Sequence, residues 1–173
     1  MLERIFDFIT VSWNILRPWV VVSDYEGGVV LRFGIFYKEL TPGLHWKLPI
    51  ADTTVITSTV ITTMALRPQT LTTLDDLTVV ISAIVKYRIA DVRAYLLEIW
   101  DSADVLNDVT LGAIKQIVAS VNYIELQNPN IEDNVLAIVH KEAEIFGVDV
   151  RKVTFADLGK VRSLRLITNK PFE

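Results

Sequence analysis

The stretch from Thr78 to Ile89 constrains this chain more than any other. Val79, Ile81, Ala83, Val85, Tyr87 and Ile89 alternate with positions that include Thr78, Ser82, Lys86 and Arg88. A period of two puts the two sets on opposite faces of a strand. One face is apolar and the other wetter, the pattern of an antiparallel sheet covered on one side. Hydrophobic residues make up 51% of the 173 positions. Average soluble domains reach about 45–50% only when glycine is counted, so apolar surface is in surplus and a disordered chain is ruled out. The length fits one domain, or one domain and a tail, since domains usually run to roughly 100–200 residues. A net charge of -4 removes the electrostatic case for binding nucleic acid, which needs a basic face against phosphates. The chain has no cysteine, which excludes disulfides, iron–sulfur clusters and thiol nucleophiles.

More strands precede that stretch. Val29, Leu31, Phe33 and Ile35 alternate with Val30, Arg32 and Gly34, and Gly27-Gly28 before them reads as a turn or bulge. Thr41-Pro42-Gly43 is a turn, and Leu44 to Leu48 is a short apolar segment ended by Pro49. Residues 53–66 are rich in Thr, Val and Ile, a strand composition. Leu74-Asp75-Asp76 marks another turn.

Helices dominate after residue 90. Asp91 caps a short helix through Glu98, and Asp101 or Ser102 caps the next. In that second helix Leu106, Val109, Ala113, Ile117 and Val121 form a stripe. Asn128-Pro129 opens a third helix, which carries Val135, Val139, Ala143 and Phe146 and stops at Gly147. Val148, Val150, Val153 and Phe155 indicate a last strand, and a short basic segment closes the chain.

The N-terminus is amphipathic. Glu3, Asp7, Thr10, Asn14 and Arg17 recur at helical steps and fall within an arc of roughly 60°. Ile5, Phe6, Phe8, Ile9, Trp13 and Leu16 lie opposite, and Pro18 ends the pattern. The apolar arc is wider than a core-facing helix needs. It favours contact with a membrane interface, with Trp13 and Trp19 at headgroup level. Packing on the protein's own core and a tilted span over residues 2–22 are the alternatives. The span would place Asp7 and Arg17 in hydrocarbon, at about 2.5–3.5 kcal/mol for each central charge. Trp46, with Leu44 and Leu48 beside it, either dips into lipid or fills the sheet core.

The order of these motifs resembles the SPFH or band 7 domain of stomatins, prohibitins, flotillins and the bacterial HflK and HflC proteins. The resemblance covers residues 22–158. It rests on Arg32-Phe33-Gly34, on Pro42-Gly43-Leu44-His45 followed by Leu48-Pro49 and Asp52, and on Thr73 to Val79 leading to Tyr87-Arg88. Gly147-Val148-Asp149-Val150 fits the family's turn into its final strand. The resemblance implies an α+β domain in two subdomains, an antiparallel-rich β part and an α/β part. The expected organisation is a membrane-associated segment at 1–22, the domain at 23–158 and a basic tail at 159–173. It also implies lateral assembly into rings or arrays that organise membrane proteins, such as a channel or an FtsH-type protease, without catalysis in this domain. Family members continue into a long coiled coil, and here the chain stops at Glu173. That difference raises a second expectation, a shortened module that joins or caps the rings of longer relatives.

Few residues are candidates for chemistry. His45 and His140 are the two histidines, far apart and in no metal-binding spacing. Asp75-Asp76 reads as a solvated turn rather than a catalytic pair. No P-loop, GxSxG or GxGxxG is present, and Gly27-Gly28 precede a strand, the wrong order for phosphate binding. A hydrolase is thus a remote expectation, and neither cofactor nor metal is expected. The residues expected to contact membrane are Ile5, Phe6, Phe8, Ile9, Trp13, Leu16, Trp19, Leu44 and Trp46. The motif positions expected to shape the domain are Arg32, Gly34, Pro42, Gly43, Pro49, Asp52, Tyr87 and Gly147.

Overall fold

A computed structural model of the chain describes residues 17–161. Its first half holds strands β1 (Trp19–Val22), β2 (Glu26–Arg32), β3 (Ile35–Leu40), β4 (Gly43–Trp46) and β5 (Asp52–Ser58). Next come β6 (Thr62–Ala65), β7 (Gln69–Thr72) and the long β8 (Thr78–Ile89). Helices α1 (Val92–Leu97), α2 (Ser102–Ser120), α3 (Tyr123–Leu126) and α4 (Asn130–Ala143) follow. A 3-10 turn at Glu144–Phe146 then leads into β9 (Val148–Lys160). The architecture is α+β, with every strand pairing antiparallel.

β8 organises the second half. β6 and β7 share one of its edges, and β9 runs along the other. Val79, Ile81, Ala83 and Val85 are at most 2% exposed, so the alternation does set the covered face. Leu106, Ala113, Ile114 and Val118 of α2 and Val135, Val139 and Ala143 of α4 close over it. A smaller core of Val22, Val30 and Leu40 holds the β-rich half together.

Several sequence expectations change in detail. Gly27-Gly28 is neither a turn nor a bulge, because both glycines lie inside β2 and pair with β5. A Cβ on Gly27 would come 2.8 Å from Val92 Cγ2, and one on Gly28 would come 2.5 Å from the Val55 carbonyl. The glycines let α1 and β5 approach the strand. The alternation from Val29 to Ile35 is not one strand. Phe33 (φ 51) and Gly34 (φ 82) form a two-residue hairpin between β2 and β3, with both φ positive as a type I′ turn requires. Residues 53–66 are two strands, broken at 59–61. The buried stripe of α2 is rotated from the expected one. Leu106 and Ala113 are in it, but Thr110, Ile114 and Val118 are more buried than Val109, Ile117 and Val121. Short α3, closed by a capping box between Asn122 and Glu125, has no counterpart in the sequence reading.

The caps behave as their residue types dictate. Asp91 accepts from the Ala94 amide at 2.9 Å and Asp101 from the Asp104 amide at 3.3 Å. At α4 the expectation shifts by one residue: Pro129 holds the cap position rather than the first helical one, and Asn128 before it accepts from the Asn130 amide at 3.1 Å. Gly147 ends the 3-10 turn at φ 74. β9 reaches Lys160, inside the stretch expected as tail, and residues 162–173 lie outside the described residues.

Candidate functional site

The most unusual surface lies on the ribbon of β1 and β4. Their register pairs Trp19 with Trp46 and Val21 with Leu44. Directly opposed residues of an antiparallel pair share a face, so these four side chains point the same way. All four are exposed, at 41%, 68%, 65% and 62% respectively. The reverse face is different, since Val22 is buried and Val20 packs beside Val30 and Leu40. The two indole rings meet edge to face, centroids 6.2 Å apart and planes at 80°. Trp46 therefore does not fill the sheet core.

The apolar surface continues beyond the ribbon. The Lys47 amide donates to the Pro18 carbonyl at 2.8 Å, which fixes the end of the ribbon nearest the chain's N-terminal segment. Leu48 and Ile50 follow and are exposed, Ile50 at 92%. The hairpin tip joins them, because the Phe33 amide donates to the Ala51 carbonyl at 2.8 Å. Phe33 and Ile35 there are also exposed. Sequence reasoning missed Val21, Phe33, Ile35 and Ile50. Val21 has a signal in its spacing, two residues from Trp19 on a short strand. The others are set by a hairpin that the apolar alternation conceals.

Arg32 and Asp52 brace this end of the sheet. They are direct partners in the β2–β5 register. Arg32 Nε and Nη2 donate to the two Asp52 oxygens at 2.7 and 3.0 Å, a bidentate pair. The Leu48 amide donates to Asp52 Oδ2 at 2.9 Å, and the Asp52 amide donates back to the Leu48 carbonyl at 2.9 Å. The guanidinium also lies 3.7 Å from the centre of the Tyr37 ring. One carboxylate thus ties the Leu48–Ile50 loop to the sheet. The Arg32 hydrogen bonds, with help from the Leu48 amide, hold the Asp52 carboxyl down at about 2.

That shift has a consequence in acid. A carboxyl whose folded pKa is depressed adds stability above its unfolded value and loses it as pH falls toward the folded value. The window for Asp52 runs from the ordinary value of 3.8 down to about 2. Asp52→Asn is expected to lower the urea midpoint at neutral pH and to flatten its fall through that window. A pH series of urea melts checks both.

The remaining motif positions lie at turns, in the braced loop and in β8. Pro42 and Gly43 turn the chain into β4, Gly43 with φ 129, and Pro49 lies in the braced loop. His45 Nε2 donates to the Thr41 carbonyl at 2.6 Å. Tyr87 is buried on the covered face of β8, and burial pushes its phenol up. Thr73 donates to the Asp75 carboxylate, which also accepts from the Tyr123 amide at 3.3 Å. This bond to Thr73 is the main cause that lowers Asp75, so the turn reading fits its geometry. His140 Nδ1 is 3.9 Å from Asp149 Oδ1, and Asp149 also holds Arg88 and Arg151. Among the described residues no group of three or more His, Cys, Asp or Glu is placed to hold a metal ion. Ile5, Phe6, Phe8, Ile9, Trp13 and Leu16 lie outside the described residues. Among the described residues no helix is long and apolar enough to cross a membrane.

The model of the SPFH domain / band 7 family matches residues 20–161, most of the chain. The chain belongs to the SPFH / band 7 family. An uncharacterized protein of Methanocaldococcus jannaschii is 28% identical over 146 residues, covering 83% of this chain and 73% of that protein. HflK of Haemophilus influenzae is 30% identical over 113 residues, 65% of this chain. HflC of Vibrio cholerae is 33% identical over 90 residues, 48% of this chain. The matches span only 27% of that HflK and 28% of that HflC. In this SPFH domain the hairpin tip, the braced loop and the apolar ribbon apart from Trp19 fall inside the matched residues.

Proposed function

We propose that this SPFH protein is a non-enzymatic, membrane-associated scaffold. In this reading, residues 1–22 and the exposed ribbon and loop surface contact lipid together. The observation that carries it is the ribbon face, with Trp19, Val21, Leu44 and Trp46 pointing outward beside the chain's N-terminal segment. Contiguous apolar surface of this kind marks interaction sites in soluble proteins. Tryptophan suits the interfacial region, where an apolar body and a polar N–H find both their solvents. Copies then assemble laterally and organise membrane proteins, an FtsH-type protease or a channel among them. Similarity to HflK and HflC supports the protease branch and also co-assembly with longer SPFH proteins.

Flotation with neutral phosphatidylcholine vesicles tests the membrane part. The full chain is expected to float and its tryptophan emission to shift to the blue. A chain that stays at the bottom with unshifted emission overturns this part. Neutral lipid is the right probe because the protein carries net negative charge, so apolar insertion must dominate over attraction to anionic headgroups.

A further inference from the structure

We infer that two charged surfaces on opposite faces of the β8 sheet unit form a head-to-tail contact between copies of this chain. The inference rests on the proposed lateral assembly and names the surfaces that would join. The first surface is the uncovered face of that sheet. Lys86 on β8 and Lys152 on β9 are direct cross-strand partners, and both are exposed. Like charges directly opposed on a sheet repel. Among the described residues, ion pairs form at Arg32, Arg88 and Arg151, and at neither lysine. Their neighbours Val85 and Tyr87 face the helices, so Lys86 points away from them. This sheet face presents two closely spaced cations, neither in an ion pair among the described residues.

The second surface lies in the helical layer. Trp100, between α1 and α2, is 95% exposed. Beside it is an open cleft of about 360 Å³ lined by Tyr95, Leu96, Ile99, Trp100, Asp101 and Ser102. Exposed carboxylates surround the tryptophan in sequence. Glu98 ends α1, and Asp101, Asp104 and Asp108 follow at helical steps of three and four along one side of α2. An aromatic anchor rimmed by carboxylates fits a flat surface bearing lysines. The indole face attracts an ammonium group, and the rim supplies the opposite charge.

Helices cover one face of the sheet and the lysines occupy the other, and like charge disfavours either surface meeting its own copy. The contact is therefore heterologous, and heterologous contacts propagate into rings or open arrays.

The test uses the full chain in mild detergent, followed by sedimentation velocity. Lys86→Glu/Lys152→Glu and Glu98→Lys/Asp108→Lys should each weaken self-association about tenfold or more. An equimolar mixture of the two variants should restore assembly, because each altered surface then meets its complement. Circular dichroism confirms that each variant is folded, and a misfolded pair is replaced by Lys86→Gln/Lys152→Gln, expected to weaken association less. If the parent chain assembles and folded variants assemble equally well, these surfaces are wrong while lateral assembly stands. If the parent chain remains a monomer in detergent and in lipid nanodiscs, the assembly reading itself fails.

Discussion

Gly147→Ala is expected to destabilise the fold by at least about 3 kcal/mol, read as a lower urea midpoint with an unchanged slope. Two effects add. Gly147 has φ 74, a left-handed conformation that costs a residue with a Cβ roughly 1–2 kcal/mol. The new methyl would also sit 2.3 Å from the Asp91 carbonyl oxygen and 3.0 Å from the Ala94 Cβ. That oxygen is backbone and cannot swing aside. The Gly147 carbonyl in turn accepts from the Ala90 and Asp91 amides at 2.9 and 3.1 Å. The end of β8, the start of α1 and the start of β9 therefore meet at one residue, and a shift there disturbs all three. Gly112→Ala is the contrasting change. Gly112 lies within α2 with open space around its Cβ position, so alanine there should stabilise by about 0.5–1 kcal/mol.

The second large effect concerns lipid rather than folding. Replacing Trp19, Val21, Leu44 and Trp46 together with serine is expected to weaken vesicle binding by about two orders of magnitude. Each tryptophan can bury a large apolar area in the interface, and loss of both dominates. Stability should change little, because all four side chains are exposed and the edge-to-face ring pair adds only about 0.5–1.5 kcal/mol. A flotation series set beside urea melts separates the two quantities. A fall in both together would mean that the ribbon face is a packing surface and not a docking one.

Legibility in the sequence followed locality. β8 was readable because its alternation is a property of one segment with one covered face. The caps at Asp91 and Asp101 were readable because capping acts within three residues. Phe33 misled because a phenylalanine in a left-handed turn continues an apolar alternation that the backbone has already reversed. Gly27-Gly28 misled because glycine serves close approach as well as turning, and the elements that approach, α1 and β5, lie far along the chain. The rotated stripe of α2 reflects the position of α4, which no periodicity within α2 encodes. At the candidate site Trp19, Trp46, Arg32 and Asp52 all stand out individually in the sequence, but not as pairs. The members of each pair come from different strands, so the ring pair and the brace emerge only from strand register.

Single-tryptophan chains in vesicles of brominated phosphatidylcholine test the placement of the membrane surface most directly. In one chain only Trp46 is kept and the other three tryptophans become phenylalanine; in the other only Trp100 is kept. Bromine on the acyl chains should quench Trp46 strongly and leave Trp100 nearly unaffected. Equal quenching of both, or quenching of Trp100 alone, would contradict a membrane-facing ribbon.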